Sequence, residues 1–172
     1  MGIPSLTHPE TIKKLDFYGM QGIDHRKAYR IKNFLIRAIP VPHGDCPCFS
    51  YVIDCSDGNR ILFITDASDF PTKVPNVTHL MIEANYSMDI IERNAVKDQW
   101  NFSASNTHMS LEKATEVIER HKSASLQTVT LLHLSAGNSN AKEFVQYVEK
   151  ETGITPYIAD KGVVIDFKKE EF

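Results

Sequence analysis

The sequence contains no apolar run approaching the ~20 residues that a membrane helix needs, and its opening stretch, MGIPSLTHPETIKKL, lacks the apolar core of a secretory leader. Neither a membrane span nor export is expected. A strong charge excess is also missing. The 19 basic and 22 acidic side chains leave a formal charge of -3, which excludes a polycationic grip on nucleic acid and confines any phosphate recognition to local groups. Cysteine is scarce: there are three, an odd number, with Cys46 and Cys48 two positions apart. That pattern argues against a disulfide framework and for a reduced, cytoplasmic protein. No repeat, low-complexity tract or linker interrupts the chain. A hydrophobic content of 42% over 172 residues suits one domain, residues 1–172, burying roughly 70% of its unfolded surface.

What is present is a series of short apolar segments separated by turn residues. Pro9 opens a short helix with Ile12, Leu15 and Phe17 on its apolar stripe and Gly19 at its end; residues 20–27 form a polar connection. Strands follow at Tyr29–Ile31, at Phe34–Ile39 until Pro40 and Pro42 break it, and at Cys48–Asp54. The Ser56-Asp57-Gly58-Asn59 turn then leads into Arg60–Ile64 as a hairpin. His79–Ala84 reads as another strand and Met88–Val96 as a helix, and Trp100–Thr107 is a Ser/Asn-rich loop. Ser110 caps a helix with Ala114, Val117, Ile118 and His121 at 3.6-residue spacing; Asn140 with Glu143 opens another, burying Phe144, Val145 and Val148. Tyr157–Ile158 and Val163–Ile165 form a closing hairpin across Asp160-Lys161-Gly162. Strands first, then strands alternating with helices, predict an α/β fold: a mixed β-sheet with flanking helices.

Three strand ends carry side chains with chemistry. The run Val129–Leu134 is apolar except for His133 and stops at Ser135-Ala136-Gly137-Asn138; Ile61–Thr65 runs into Asp66, and Ile36–Pro42 into His43. In open α/β sheets ligands collect at the carboxyl ends of strands. Each residue also has an ordinary reading: His133 as a hydrogen-bonded core histidine, Asp66 as a turn former, His43 as a loop residue and His108 as a helix starter. His121, closing an apolar stripe, is expected to be structural, and His8, His25 and His79 carry no motif.

Taken in order, PHGDCPCFSYVI around His43, ILFITDA around Asp66, HLMIEANY, THMSLE around His108 and LLHLS around His133 resemble the later motifs of the metallo-β-lactamase superfamily, nearest its phosphodiesterase-like branch, from about Ile3 to Phe167. The resemblance implies a metal-dependent hydrolase with an αββα sandwich. It places His43 as a ligand of one metal, Asp66 as the carboxylate bridging two, and His133 as a ligand of the second; His108 is implied as the donor of a proton to the leaving oxygen. Neutral imidazoles and a carboxylate suit zinc or manganese, which would lower the pKa of a bound water.

The family's founding motif, His-x-His-x-Asp-His, occurs nowhere in the sequence. Asp24-His25 is no substitute. The resemblance therefore implies an incomplete sandwich, the carboxyl-terminal part of the fold without its first sheet, and divalent-metal binding that is weak or absent in the isolated chain. A missing amino-terminal piece, in-frame with this chain or a complementing amino-terminal subunit, would restore it, and an uncovered apolar sheet face favours a homo-oligomer or such a partner. The substrate implied is a small phosphodiester or a nucleic-acid end. The competing function is a non-catalytic remnant or subunit that binds a protein partner or nucleotide. A competing site, His43-x-x-Cys46-x-Cys48 holding zinc, lacks a fourth ligand nearby; idle thiols are the simpler reading.

Overall fold

The computed structural model describes residues 5–15, 20–95 and 107–167. Seven strands form one sheet in chain order: β3 (Ala28–Ile31), β4 (Phe34–Val41), β5 (Cys48–Cys55), β6 (Arg60–Ile64), β7 (His79–Glu83), β8 (Thr128–Leu132) and β9 (Tyr157–Ile158). From β3 to β6 the pairing is antiparallel, and from β6 to β9 it is parallel. The change has a sequence cause. Short turns such as Ser56–Asn59 join antiparallel neighbours, whereas the later strands are separated by long connections, as parallel pairing demands. Two of these contain helix α3 (Leu111–His121) and helix α4 (Ala141–Thr152); α1 (Pro9–Leu15) and α2 (Met88–Ala95) complete the helices among the described residues.

The pleat sorts the strand residues into two faces. Val52, Leu62, Leu80 and Val129 lie in one register row, and all four belong to the main core with Ala114, Val117 and Ile118 of α3 and Phe144 and Val148 of α4. The adjacent row, Tyr51, Phe63 and Met81, faces the other way and is only half-buried. One end of that face is covered by a separate unit: β1 (Ser5–Thr7) and β2 (Met20–Gly22), a parallel pair connected through α1. Ile23 after β2 packs on Ala38 and Phe49, with Leu6, Tyr29 and Tyr51 around them.

Several expectations need correction. Residues 20–27 are not all connection, because Met20–Gly22 pairs in register with Ser5–Thr7; three residues are too short for a hydrophobic period to show. A second sheet is thus present, two strands wide. Pro40 does not break β4, which runs to Val41. Strand β3 covers only Phe34–Arg37, so Pro40 lies beside an open edge where its missing N–H costs no ladder bond. The closing hairpin does not form: β9 pairs in parallel with β8, and Val163–Ile165 is not a strand, with Val164 92% exposed. Phe17, Gly19 and the Trp100–Asn106 loop fall outside the described residues.

Candidate metal centre

At the carboxyl edge of β4, β6, β7 and β8 the chain turns sharply, and those turns carry the site. Asp66 and His133, two and one residues past their strands, take left-handed backbone angles of φ 52° and 57°. The conformation costs a side-chain-bearing residue about 1 kcal/mol and is commonest for Asn, Asp and His. Each turn is tied down. Ser68 N–H donates to Pro42 O (2.9 Å), joining the Asp66 loop to the His43 loop. Asn85 is the hub of the others: its N–H donates to Met109 O (2.9 Å), its O accepts from Ser135 N–H (2.9 Å), and its side-chain amide donates to His133 O (2.8 Å). Strain held by such cross-ties is a usual mark of a functional site.

Four side chains singled out from sequence converge here. His43 lies edge-on to His108, ring centroids 5.2 Å apart, and His108 lies edge-on to His133 at 5.0 Å. His133 Nδ1 is 3.8 Å from Asp66 Oδ1. One ligand-capable atom each from His43, Asp66 and His108 fall within 4.8 Å of one another, and so do those of Glu83, His108 and His133. The cysteines enter neither group: Cys46 is exposed, and Cys48 begins β5, where burial pushes its thiol up to about 11. The His-x-x-Cys-x-Cys alternative is therefore not formed.

Glu83 is the residue that strand-end reasoning missed. It ends β7, its side chain is fully buried, and one oxygen, Oε1, lies 2.6 Å from His108 Nδ1 and 3.2 Å from His133 Nδ1. The other accepts Ala67 N–H at 3.2 Å. Burial drives its carboxyl pKa up to about 7, against hydrogen bonds from Ala67 and Asp66 and the pull of His133. Burial likewise lowers His108, and His43 adds to that. A carboxylate so placed is stable only with positive charge beside it.

The donor set fits a divalent metal. His43 Nδ1–H donates to Thr107 O at 2.6 Å, which selects the tautomer with a lone pair on Nε2 and fixes the ring, as an orienting carbonyl does for metal-binding histidines. Imidazole nitrogen with carboxylate oxygen is a zinc- or manganese-type set. His121 makes the contrast expected of a structural histidine: it is buried, with Nδ1–H donating to Val117 O (2.8 Å) and Nε2 accepting Val74 N–H (3.1 Å).

No protein-family model matches the chain, and no curated protein is significantly similar to it. Solved structures do match. The metallo-β-lactamase fold protein YhfI from Bacillus subtilis superposes with a TM-score of 0.67 at 18% identity, over 90% of this chain and 58% of its own. Zn(2+)-bound PqqB from Methylobacterium extorquens gives 0.69 at 12% identity, over 94% and 64%. A diphosphatase from the PhnP family gives 0.61 at 14%, over 95% and 58%. The chain thus spans about three-fifths of the length of these proteins.

Proposed function

The chain has the metallo-β-lactamase fold, and on that premise we propose that it contributes to a divalent-metal hydrolase centre acting on phosphodiesters. The observation that carries this reading is the convergence of His43, Asp66, His108 and His133, from four separate segments, around the buried carboxylate of Glu83. His43, Asp66 and His133 would hold zinc or manganese, which when bound acts as a Lewis acid and lowers the pKa of water. The remaining chemistry belongs to the chain. Glu83 fixes His108 by its Nδ1 atom, leaving the Nε2 edge to pass a proton to the departing oxygen of a phosphodiester; an imidazole is suited to that task near neutral pH. Glu83 is then a positioning residue. The PhnP-family neighbour, a diphosphatase, supports phosphoryl chemistry.

Ligand number limits the isolated chain. One histidine for each of two metals with a shared aspartate falls short of the three protein ligands usual at a catalytic zinc, so further ligands would come from another polypeptide segment, in the same chain, in a complementing amino-terminal subunit or in a second copy. Phe63 and Met81, half-buried in their register row beyond the end at which Tyr51 packs against the β1–β2 unit, offer a face for it. The same shortfall supports the second reading, a non-catalytic subunit that binds a protein partner or nucleotide. Metal content after purification without chelator, together with hydrolysis of a chromogenic phosphodiester under added manganese or zinc, separates them. Turnover that disappears in His108→Ala sustains the enzyme; absence of both metal and turnover sustains the second.

A further inference from the structure

We propose that a groove distant from the histidine cluster, lined by Arg37, Arg60 and Lys73, is a binding site for a phosphate-bearing anion. The groove encloses about 440 Å³, within the range of small-molecule sites. It runs beside mid-β4 and mid-β5 to the loop that precedes β7, with Val52, Val74 and Pro75 among its lining. Arg37 stands six residues before His43 on or beyond the same strand, about 20 Å at the rise of a β-strand.

The charge in the groove is not balanced. Among the described residues no carboxylate lines it; Asp54 behind the two arginines has both oxygens committed, Oδ2 to Arg37 Nη2 and Oδ1 to Arg60 Nε, each at 2.6 Å. One negative charge is thus shared by two guanidinium groups, and Lys73 adds a third cation with no carboxylate partner among the described residues. Neutralising two arginines to make an ordinary surface pair would require no lysine. Instead the arrangement fixes both forks by one carboxylate and leaves the Nε and Nη1 donors of Arg37 uncommitted to Asp54.

The groove is also preorganised. The segment carrying Lys73 is held at two points, by Val74 N–H donating to His121 Nε2 (3.1 Å) and by Arg60 Nη1 donating to Pro75 O (2.8 Å). Arg60 is itself fixed through its backbone N–H, which donates to Thr78 Oγ1 (2.8 Å). A planar guanidinium with parallel N–H donors matches phosphoryl oxygens, and a lysine nearby adds a point charge. In a chain of net charge -3 this is the local kind of phosphate recognition that composition allows. The same oxyanion chemistry is offered by a free phosphate or diphosphate and by one phosphate of a nucleic-acid strand.

The test is a calorimetric titration of the full chain, metal stripped on a chelating resin, at low ionic strength. The probes are inorganic pyrophosphate and a short 5′-phosphorylated oligonucleotide. Saturable binding of at least one probe is expected, weakened about tenfold by Lys73→Ala, further by Arg37→Gln with Lys73→Ala, and by added salt. Binding of pyrophosphate alone identifies a small anion, and binding of the oligonucleotide alone a strand phosphate. Lack of saturable binding by either probe, or equal affinity in the parent and a Lys73→Ala variant of unchanged circular dichroism, overturns the proposal. Because metal is absent throughout, the result is independent of the hydrolase reading.

Discussion

Beneath α3 and at the strand ends, the protein treats two histidines alike at one nitrogen and differently at the other. His121 and His43 each donate Nδ1–H to a backbone carbonyl, at 2.8 Å to Val117 and 2.6 Å to Thr107. His121 then spends Nε2 on Val74 N–H. His43 is half-buried and belongs to a cluster with Asp66 and His108, and its Nδ1 bond to Thr107 leaves Nε2 as the nitrogen open to a ligand. The difference separates a histidine that completes a core from one that awaits a ligand: burial and a hydrogen bond are common to both, and the fate of the second nitrogen distinguishes them.

The sharpest way to break this contrast is at His108. If the strand-end cluster is a reaction centre, His108→Ala should lower phosphodiester turnover by roughly 100- to 10,000-fold, far beyond its effect on stability, a loss of about 1–3 kcal/mol from stripping the buried Glu83 of its 2.6 Å partner. Parallel rate and thermal-melt measurements decide it; an equal rate would return His108 to the role of helix starter. The mirror experiment is His121→Ala. Removing a side chain that is 3% exposed and strands Val74 N–H without a partner should cost about 2–4 kcal/mol in denaturant unfolding. Zinc or manganese affinity should stay within about twofold of the parent, since the residue lies outside both ligand groups. His43→Ala should show the reverse pattern.

Sequence reasoning reached the site where a polar side chain interrupts an apolar strand end, and failed where the environment rather than the pattern sets the chemistry. His133, Asp66 and His43 each follow a run of strand residues, so periodicity located them. Glu83 does the same at the end of His79–Glu83, but a terminal glutamate looks like the start of a solvated turn. Only the packing of the Asp66 and His133 loops over it makes it fully buried. The short β2 was invisible for a related reason, and Tyr157–Ile158 is legible as a strand while its partner is not. Strands of three and two residues carry too little sequence to fix a period or a register, and which neighbour they pair with depends on where an edge is offered.

Glu83→Gln sharpens the electrostatic side of the comparison. Burial raises the folded-state pKa of Glu83 from 4.5 to about 7, so between those values the folded chain holds a proton the unfolded chain has lost. Stability of the metal-free protein must therefore fall as pH rises through that window, by at most about 1.4 kcal/mol per pH unit from this group. His79, His108 and His121, lowered by burial, act oppositely as pH rises toward 6.5, so the informative quantity is the difference between parent and Glu83→Gln. Urea unfolding at several pH values should show the parent losing ground to the variant from pH 4.5 to 7. A constant difference would mean that the carboxyl is not desolvated. Metal should bind the parent more tightly as pH rises, because it displaces that proton.

The smallest effect expected tests how His43 is aimed. Gly44 has φ +55°, and a Cβ there would meet Thr107 Cγ2 at 3.1 Å, the same residue whose carbonyl accepts the proton of His43 Nδ1. Gly44→Ala therefore strains the backbone and presses on that partner, for a loss of about 1 kcal/mol. The change adds one methyl group and leaves the histidine, its neighbours and the net charge as they were. If the Thr107 carbonyl orients His43 for a ligand, metal affinity should drop more than stability does, by about tenfold, the lower end of what disturbing an orienting partner costs. A loss of stability with unchanged metal affinity would show instead that the contact only anchors the loop, which would place His43 beside His121.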